Sequence, residues 1–151
     1  MISENIKAKG LVTLQLIGPD GEIKESQDQN KVVDLGLAHI ISRLKDTSQA
    51  VVSHVAIGTS GTVEAGTQTA LQGTELARVG LDSTTIVTTV VANDSIQYVA
   101  TFDPGIGTGS VQEAGLFNAS SGPTMIARVK FDVVNKSALD TLKITWKIAV
   151  A

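Results

Sequence analysis

The C-terminal stretch carries the clearest pattern in the chain. Leu142, Ile144, Trp146, Ile148 and Val150 alternate with Thr141, Lys143, Thr145, Lys147 and Ala149. A period of two places the first set on one face of a strand and the second on the other, so a long half-buried strand is expected with Trp146 near the centre of the core. Gly10 to Ile17 repeats the pattern, with Val12, Leu14 and Leu16 against Thr13 and Gln15. Gly18-Pro19-Asp20-Gly21 has the residues of a tight turn, and Glu22 to Ser26 returns as a more polar strand, which predicts a hairpin. The period then changes. Leu37, Ile40, Ile41 and Leu44 follow Asp34 at helical spacing, with Arg43 and Lys45 in the last turn. This predicts one helix over about Leu35 to Lys45, capped by Asp34 and laid against a sheet along that apolar stripe.

Val51 to Gly58 predicts another strand. Gly58 to Gln68 is a Gly/Thr loop, and Thr69 to Leu81 lacks a sustained period and resolves into a loop followed by a strand from about Leu76. Thr84 to Val91, Ser95 to Phe102, Gln112 to Phe117 and Met125 to Val134 are rich in Val, Ile and Thr and are separated by turn residues. The expected fold class is mainly β: a single antiparallel β-sandwich or jelly-roll-like domain over residues 10–151, one short helix near 35–45, and an N-terminal arm over 1–9 that orders on a neighbour. Leu142, Ile144, Trp146, Ile148 and Phe117 are its expected core residues.

Composition narrows the function classes. The formal net charge is −3 over 151 residues, with no basic run of the kind that tracks nucleic acid. Charged residues make up 18% of the chain, below the ~25% of an ordinary soluble domain, which fits a subunit that covers surface in an assembly and, almost as well, a Thr-rich soluble monomer. With no cysteine, disulfides and thiolate metal sites are excluded. No segment has the length and apolarity of a signal peptide or a membrane helix, so a protein made in a cytoplasm and without a membrane partner is expected.

Candidate chemistry is sparse. His39 and His54 are the only histidines and share no ligand spacing, so neither metal nor cofactor is expected. No Gly-x-Ser-x-Gly elbow is present, Gly58-Thr59-Ser60-Gly61-Thr62 lacks the lysine of a phosphate loop, and Pro104 to Ser110 opens no helix. Glu64, Glu75 and Glu113 could serve glycoside chemistry by residue type alone. No enzyme is expected. Glu113 has a more specific reading. It leads into the apolar Ala114-Gly115-Leu116-Phe117, while Arg78 and Arg128 each sit in a short apolar run. A carboxylate at a sheet edge, held bidentately by a guanidinium, would fix strand register. Arg78 is the favoured partner, with Arg128 as the other; the alternative is a Glu113 carboxylate solvated at a strand end.

Three blocks in order carry a resemblance. GLVTLQLIGPDGEIKESQDQNKVVDLGLAHIISRL, VAIGTSGTVEAGTQTALQGTELAR and EAGLFNASSGPTMIARVKF together resemble a group of small phage virion proteins, including tail-collar fibre modules. The resemblance implies a non-enzymatic virion structural protein whose β-rich domain forms trimers or larger rings, made in the host cytoplasm. The chain has no long repetitive shaft, unlike the collar fibres. A homotrimeric capsid decoration (cement) protein bound to the major capsid protein is therefore the leading expectation. A tail, neck or fibre-base adaptor, or a module that binds host carbohydrate, is the alternative.

Overall fold

The computed structural model describes residues 6 to 150 and contains nine strands and one helix. The strands are β1 (Ala8–Ile17), β2 (Ile23–Val32), β3 (His54–Gly58), β4 (Glu75–Gly80), β5 (Ser83–Val87), β6 (Ser95–Phe102), β7 (Gly109–Phe117), β8 (Met125–Lys136) and β9 (Thr141–Val150). The helix, α1, is Asp34–Lys45. All pairings are antiparallel, in the order β4-β3-β7-β8-β2-β1-β9-β6-β5. The sheet curls on itself, and β2 is the fold line. Its Ile23–Asn30 part pairs with β1, and only Lys31 and Val32 pair with β8. Two leaves result, a β-sandwich-like single domain whose core lies between them.

Alternation fills that core. Val12 and Leu14 of β1, Leu142, Ile144, Trp146 and Ile148 of β9, and Tyr98, Ala100 and Phe102 of β6 come from one leaf. Val55 and Ile57 of β3, Ala114 and Leu116 of β7, and Ala127 and Val129 of β8 come from the other. Tyr98 and Val12 flank Trp146 in register, so the largest side chain of the interior is held on both sides by its own leaf.

Several elements differ from expectation for identifiable reasons. β2 continues six residues beyond Ser26, because Gln27 to Lys31 face mostly solvent as the leaves diverge and need no apolar alternation. Ala8 and Lys9 belong to β1, paired with Val150 and Ala149, so no arm extends to residue 9; residues 1–5 of the expected arm lie outside the described residues. β3 starts at His54 and not Val51, which is more than half exposed. β5 ends at Val87, because the Asp94 carboxylate takes the N–H groups of Thr89, Val90 and Val91 and rolls that stretch into a turn.

The helix corrects the sequence reading most. Val33, not Asp34, is its N-cap, with no side-chain capping bond; the Asp34 N–H instead donates to the Gly66 carbonyl at 2.8 Å. The apolar stripe does not face the sheet. Leu37, Ile41 and Leu44 are 47%, 65% and 82% exposed, while Ile40 alone of the four packs on the core. The face that meets β8 is built on Gly36, the one buried residue of α1. A helix without a side chain there can come down onto the Ile126 carbonyl, and this contact, not the stripe, fixes its rotation.

Candidate functional site

Glu113 stands in the middle of β7, between β3 and β8, on the face turned away from the main core. It is neither at a sheet edge nor at a solvated strand end. Its partner is Arg128 of β8, two residues along the neighbouring strand from Lys130, its register partner, and both side chains are fully buried. The Arg128 Nη2 and Nε groups lie 2.8 and 2.9 Å from Glu113 Oε2. Both contacts fall on one oxygen, so the pair is not the two-oxygen fork expected from the sequence. Oε1 is used elsewhere. It accepts the backbone N–H of Gly73 at 2.8 Å and of Ser60 at 3.1 Å, while Oε2 also accepts that of Gln72 at 2.9 Å.

Arg128 completes the arrangement from the other side. Its Nη1 donates to the Thr62 carbonyl at 2.7 Å and to Gln68 Oε1 at 3.3 Å, and its Nη2 to the Ser60 carbonyl at 3.3 Å. The two contacts to Glu113 and these three match the five N–H groups of a guanidinium. The pair is therefore an anchor for the long segment 59–74, which has no regular structure of its own. Segments of that length inside a domain are normally mobile or functional. This one is laced down. Thr59 Oγ1 takes the Thr74 N–H, Glu64 Oε1 takes the Lys130 N–H, and the Thr69 carbonyl takes the Met125 N–H. Leu71 inserts into a second small core of Val33, Ala56, Phe117 and Met125 under the segment. The sequence placed Phe117 in the main core; it is buried, but in this outer one.

Arg78, the expected partner of Glu113, is elsewhere. It holds Glu75 through two contacts of 2.8 and 3.0 Å and donates to the carbonyls of Ala119 and Gly122. Its guanidinium lies 3.7 Å from the centroid of the Phe117 ring, a cation–π contact. The β4 strand puts Arg78 beside Glu75, so the short i,i+3 pair forms in place of the longer one. Glu64, Glu75 and Glu113 are thus committed to three different structural contacts and do not converge on a cleft. His54 Nδ1 sits 2.7 Å from Ser53 Oγ, and His39 lies on α1 with its pKa lowered by burial and by Arg43. Among the described residues no group of three His, Cys, Asp or Glu side chains is placed to hold a metal.

An apolar groove of about 600 Å³ opens between α1 and the β5-β6-β9 leaf. Ile40 and Leu44 form its helical wall, Ile86, Ile96 and Tyr98 its sheet wall, and Val51 closes one side. Val51, Ile86 and Leu44 are each more than half exposed. The groove was not foreseen, although its signal was present: a stripe of four apolar residues on a helix that needs only glycine to seat on its sheet.

Tyr98 reports on the groove wall. It is the only tyrosine of the chain, is 7% exposed, and burial pushes its pKa up to about 12. The folded state therefore favours the protonated phenol. That contribution is complete below the ordinary value of about 10 and is lost as pH rises toward 12. Ultraviolet titration of phenolate is expected to give a midpoint well above 10, and Tyr98→Phe to flatten the alkaline fall in melting temperature. A midpoint at about 10 with the circular dichroism intact would mean that the wall is open to water.

The five aromatic side chains, Trp146, Phe102, Phe117, Phe131 and Tyr98, are all buried. The chain matches no known protein-family profile, no curated protein and no solved structure.

Proposed function

We propose that this chain is a non-enzymatic structural subunit of a bacteriophage virion, acting as a homotrimeric decoration (cement) protein on the capsid. The observation that carries the reading is the apolar surface left open beside α1. Leu37, Ile41 and Leu44 form a ridge in water directly beside an apolar groove. Exposed apolar surface of this kind marks an interaction site. The motif blocks behind the resemblance support the same reading. The second supplies the 59–74 segment, the third supplies Glu113 and Arg128, and the first supplies α1. They are joined in one domain, where the Asp34 N–H donates to the Gly66 carbonyl and Glu113 and Arg128 hold the 59–74 segment, as a subunit under mechanical load requires.

Burial of every aromatic side chain weighs against the carbohydrate-binding alternative, which needs aromatic faces open to a sugar ring. A tail, neck or fibre-base adaptor uses the same surface and differs in location. The test is quantitative mass spectrometry of purified particles from phage that encode the chain. Decoration requires on the order of hundreds of copies per particle, set by shell symmetry, whereas a tail or neck ring requires about a dozen or fewer. Absence from the particle removes the virion reading altogether.

A further inference from the structure

We infer that the groove between α1 and β5-β6, with the outer ridge of α1, is the contact between copies of this chain. This rests on the reading of the protein as an assembling subunit and names the surface that does it. Three observations select a second copy as the occupant.

The first is area. The ridge, the exposed groove wall and the neighbouring Val90 and Val91 leave roughly 450 Å² of aliphatic side chain in water, at about 100 Å² for a whole side chain. Interfaces are about 60% apolar, so this corresponds to roughly 750 Å² of contact surface on each copy, counting ridge and groove together, against the ~800 Å² that each partner buries in a specific contact.

The second is the edge strand. β5, Ser83-Thr84-Thr85-Ile86-Val87, ends the sheet with one side unpaired and carries neither charge nor proline. Free edges are normally guarded by charge, proline or a bulge, because a bare one pairs with any strand that meets it. The opposite edge, β4, is guarded in this way by Glu75 and Arg78. The bare edge is the one beside the groove, and Thr84 and Ile86 belong to both.

The third is shape. One chain presents a convex ridge and a concave groove, which are different surfaces. Seating the ridge of one copy in the groove of another joins these two surfaces, either head to tail or reciprocally about a two-fold axis.

The chain has no cysteine, so single thiols can be introduced cleanly. Leu44→Cys chains and differently tagged Thr84→Cys chains are to be co-expressed and treated with a short bismaleimide. A cross-link between the two tags is expected, well above that of a Leu139→Cys control, which places the thiol on the exposed turn between β8 and β9. In parallel, Leu44→Glu is expected to bring the native mass down to the 15.7 kDa of one chain without changing the circular dichroism, while Leu139→Glu keeps the wild-type mass. Wild-type mass in Leu44→Glu, with no cross-link above the control, overturns this surface and leaves the assembly reading standing. A wild-type protein that is monomeric at about 100 µM overturns the assembly reading itself, since a contact that weak has no place in a stable ring.

Discussion

Replacing Glu113 by Gln is expected to lower the stability of the protein by about 3–5 kcal/mol, the usual cost of removing one partner from a buried ion pair. The substitution is nearly isosteric, so shape is not the cause. The Arg128 guanidinium, fully buried 2.8 Å from the carboxylate, keeps its charge and loses its counter-ion. The amide has one acceptor oxygen where the carboxylate has two. It must give up some of the N–H groups of Ser60, Gln72 and Gly73, or the contacts of Arg128. Each backbone donor left unpaired under the loop costs a further ~1–3 kcal/mol. Arg128→Met is expected to be as harmful, because it leaves a buried carboxylate and frees the carbonyls of Ser60 and Thr62. The double variant should cost about as much as either single one, so the effects should be far from additive. Glu113→Gln with Arg78→Ala should couple much more weakly, since Arg78 is bound to Glu75 and Phe117. Denaturant titrations of the single and double variants check this. Additive losses for Glu113 with Arg128 would show that the pair does not act as a unit. Before global unfolding, hydrogen exchange at Gln72 and Gly73 should rise first, because those amides are held by Glu113 and by nothing else in the sheet.

The strands were legible because each needs only a local pattern. β9 alternates through ten residues, and Leu142, Ile144, Trp146 and Ile148 all lie in the core. β2 was only half legible, because Gln27 to Lys31 lie along the line where the leaves part and carry no alternation. The ion pair was legible by type and missed by partner. Glu113 and Arg128 are brought together by the β7–β8 register, which a shift between Val111 and Glu113 offsets by two residues. No spacing in the sequence encodes that shift. The choice of Arg78 failed because its own strand already supplies Glu75. The groups that Glu113 holds, the N–H groups of Ser60, Gln72 and Gly73, belong to backbone and carry no side-chain signature at all. The orientation of α1 was misread for a related reason. Periodicity locates an apolar stripe but does not say whether the stripe meets its own sheet or another chain, and a lone glycine at the flank of the stripe, one turn before Ile40, decided it.

That glycine gives the second large effect. Gly36→Ala is expected to destabilise the protein by about 2–3 kcal/mol, within the range for overpacking a tight contact. The helix alone argues for the opposite sign, since alanine is favoured over glycine by up to ~1 kcal/mol in a helix interior. Tertiary contact outweighs it. A Cβ at position 36 would run into the Ile126 carbonyl oxygen, and would meet its carbon at 2.9 Å and Val32 Cγ1 at 2.9 Å. Two of these atoms are backbone of a central strand and cannot swing aside. The same carbonyl accepts the Val33 N–H at 3.1 Å, the bond that seats the start of α1 on β8. Relief therefore requires the helix to lift, which lengthens that bond and moves Ile40 off the core. Gly80→Ala is the matched control, because a Cβ there meets nothing within 4 Å and needs no unusual backbone angle. It should change stability by less than about 0.5 kcal/mol or raise it slightly. Equilibrium unfolding of both variants decides the matter, and a Gly36→Ala protein as stable as the wild type would mean that α1 is not seated on Ile126. Lifting the helix also moves Leu44 relative to Ile86, so the groove widens. A folded Gly36→Ala protein is thus expected to self-associate more weakly than its stability alone accounts for. That result would tie one buried glycine to the surface on which the copies meet.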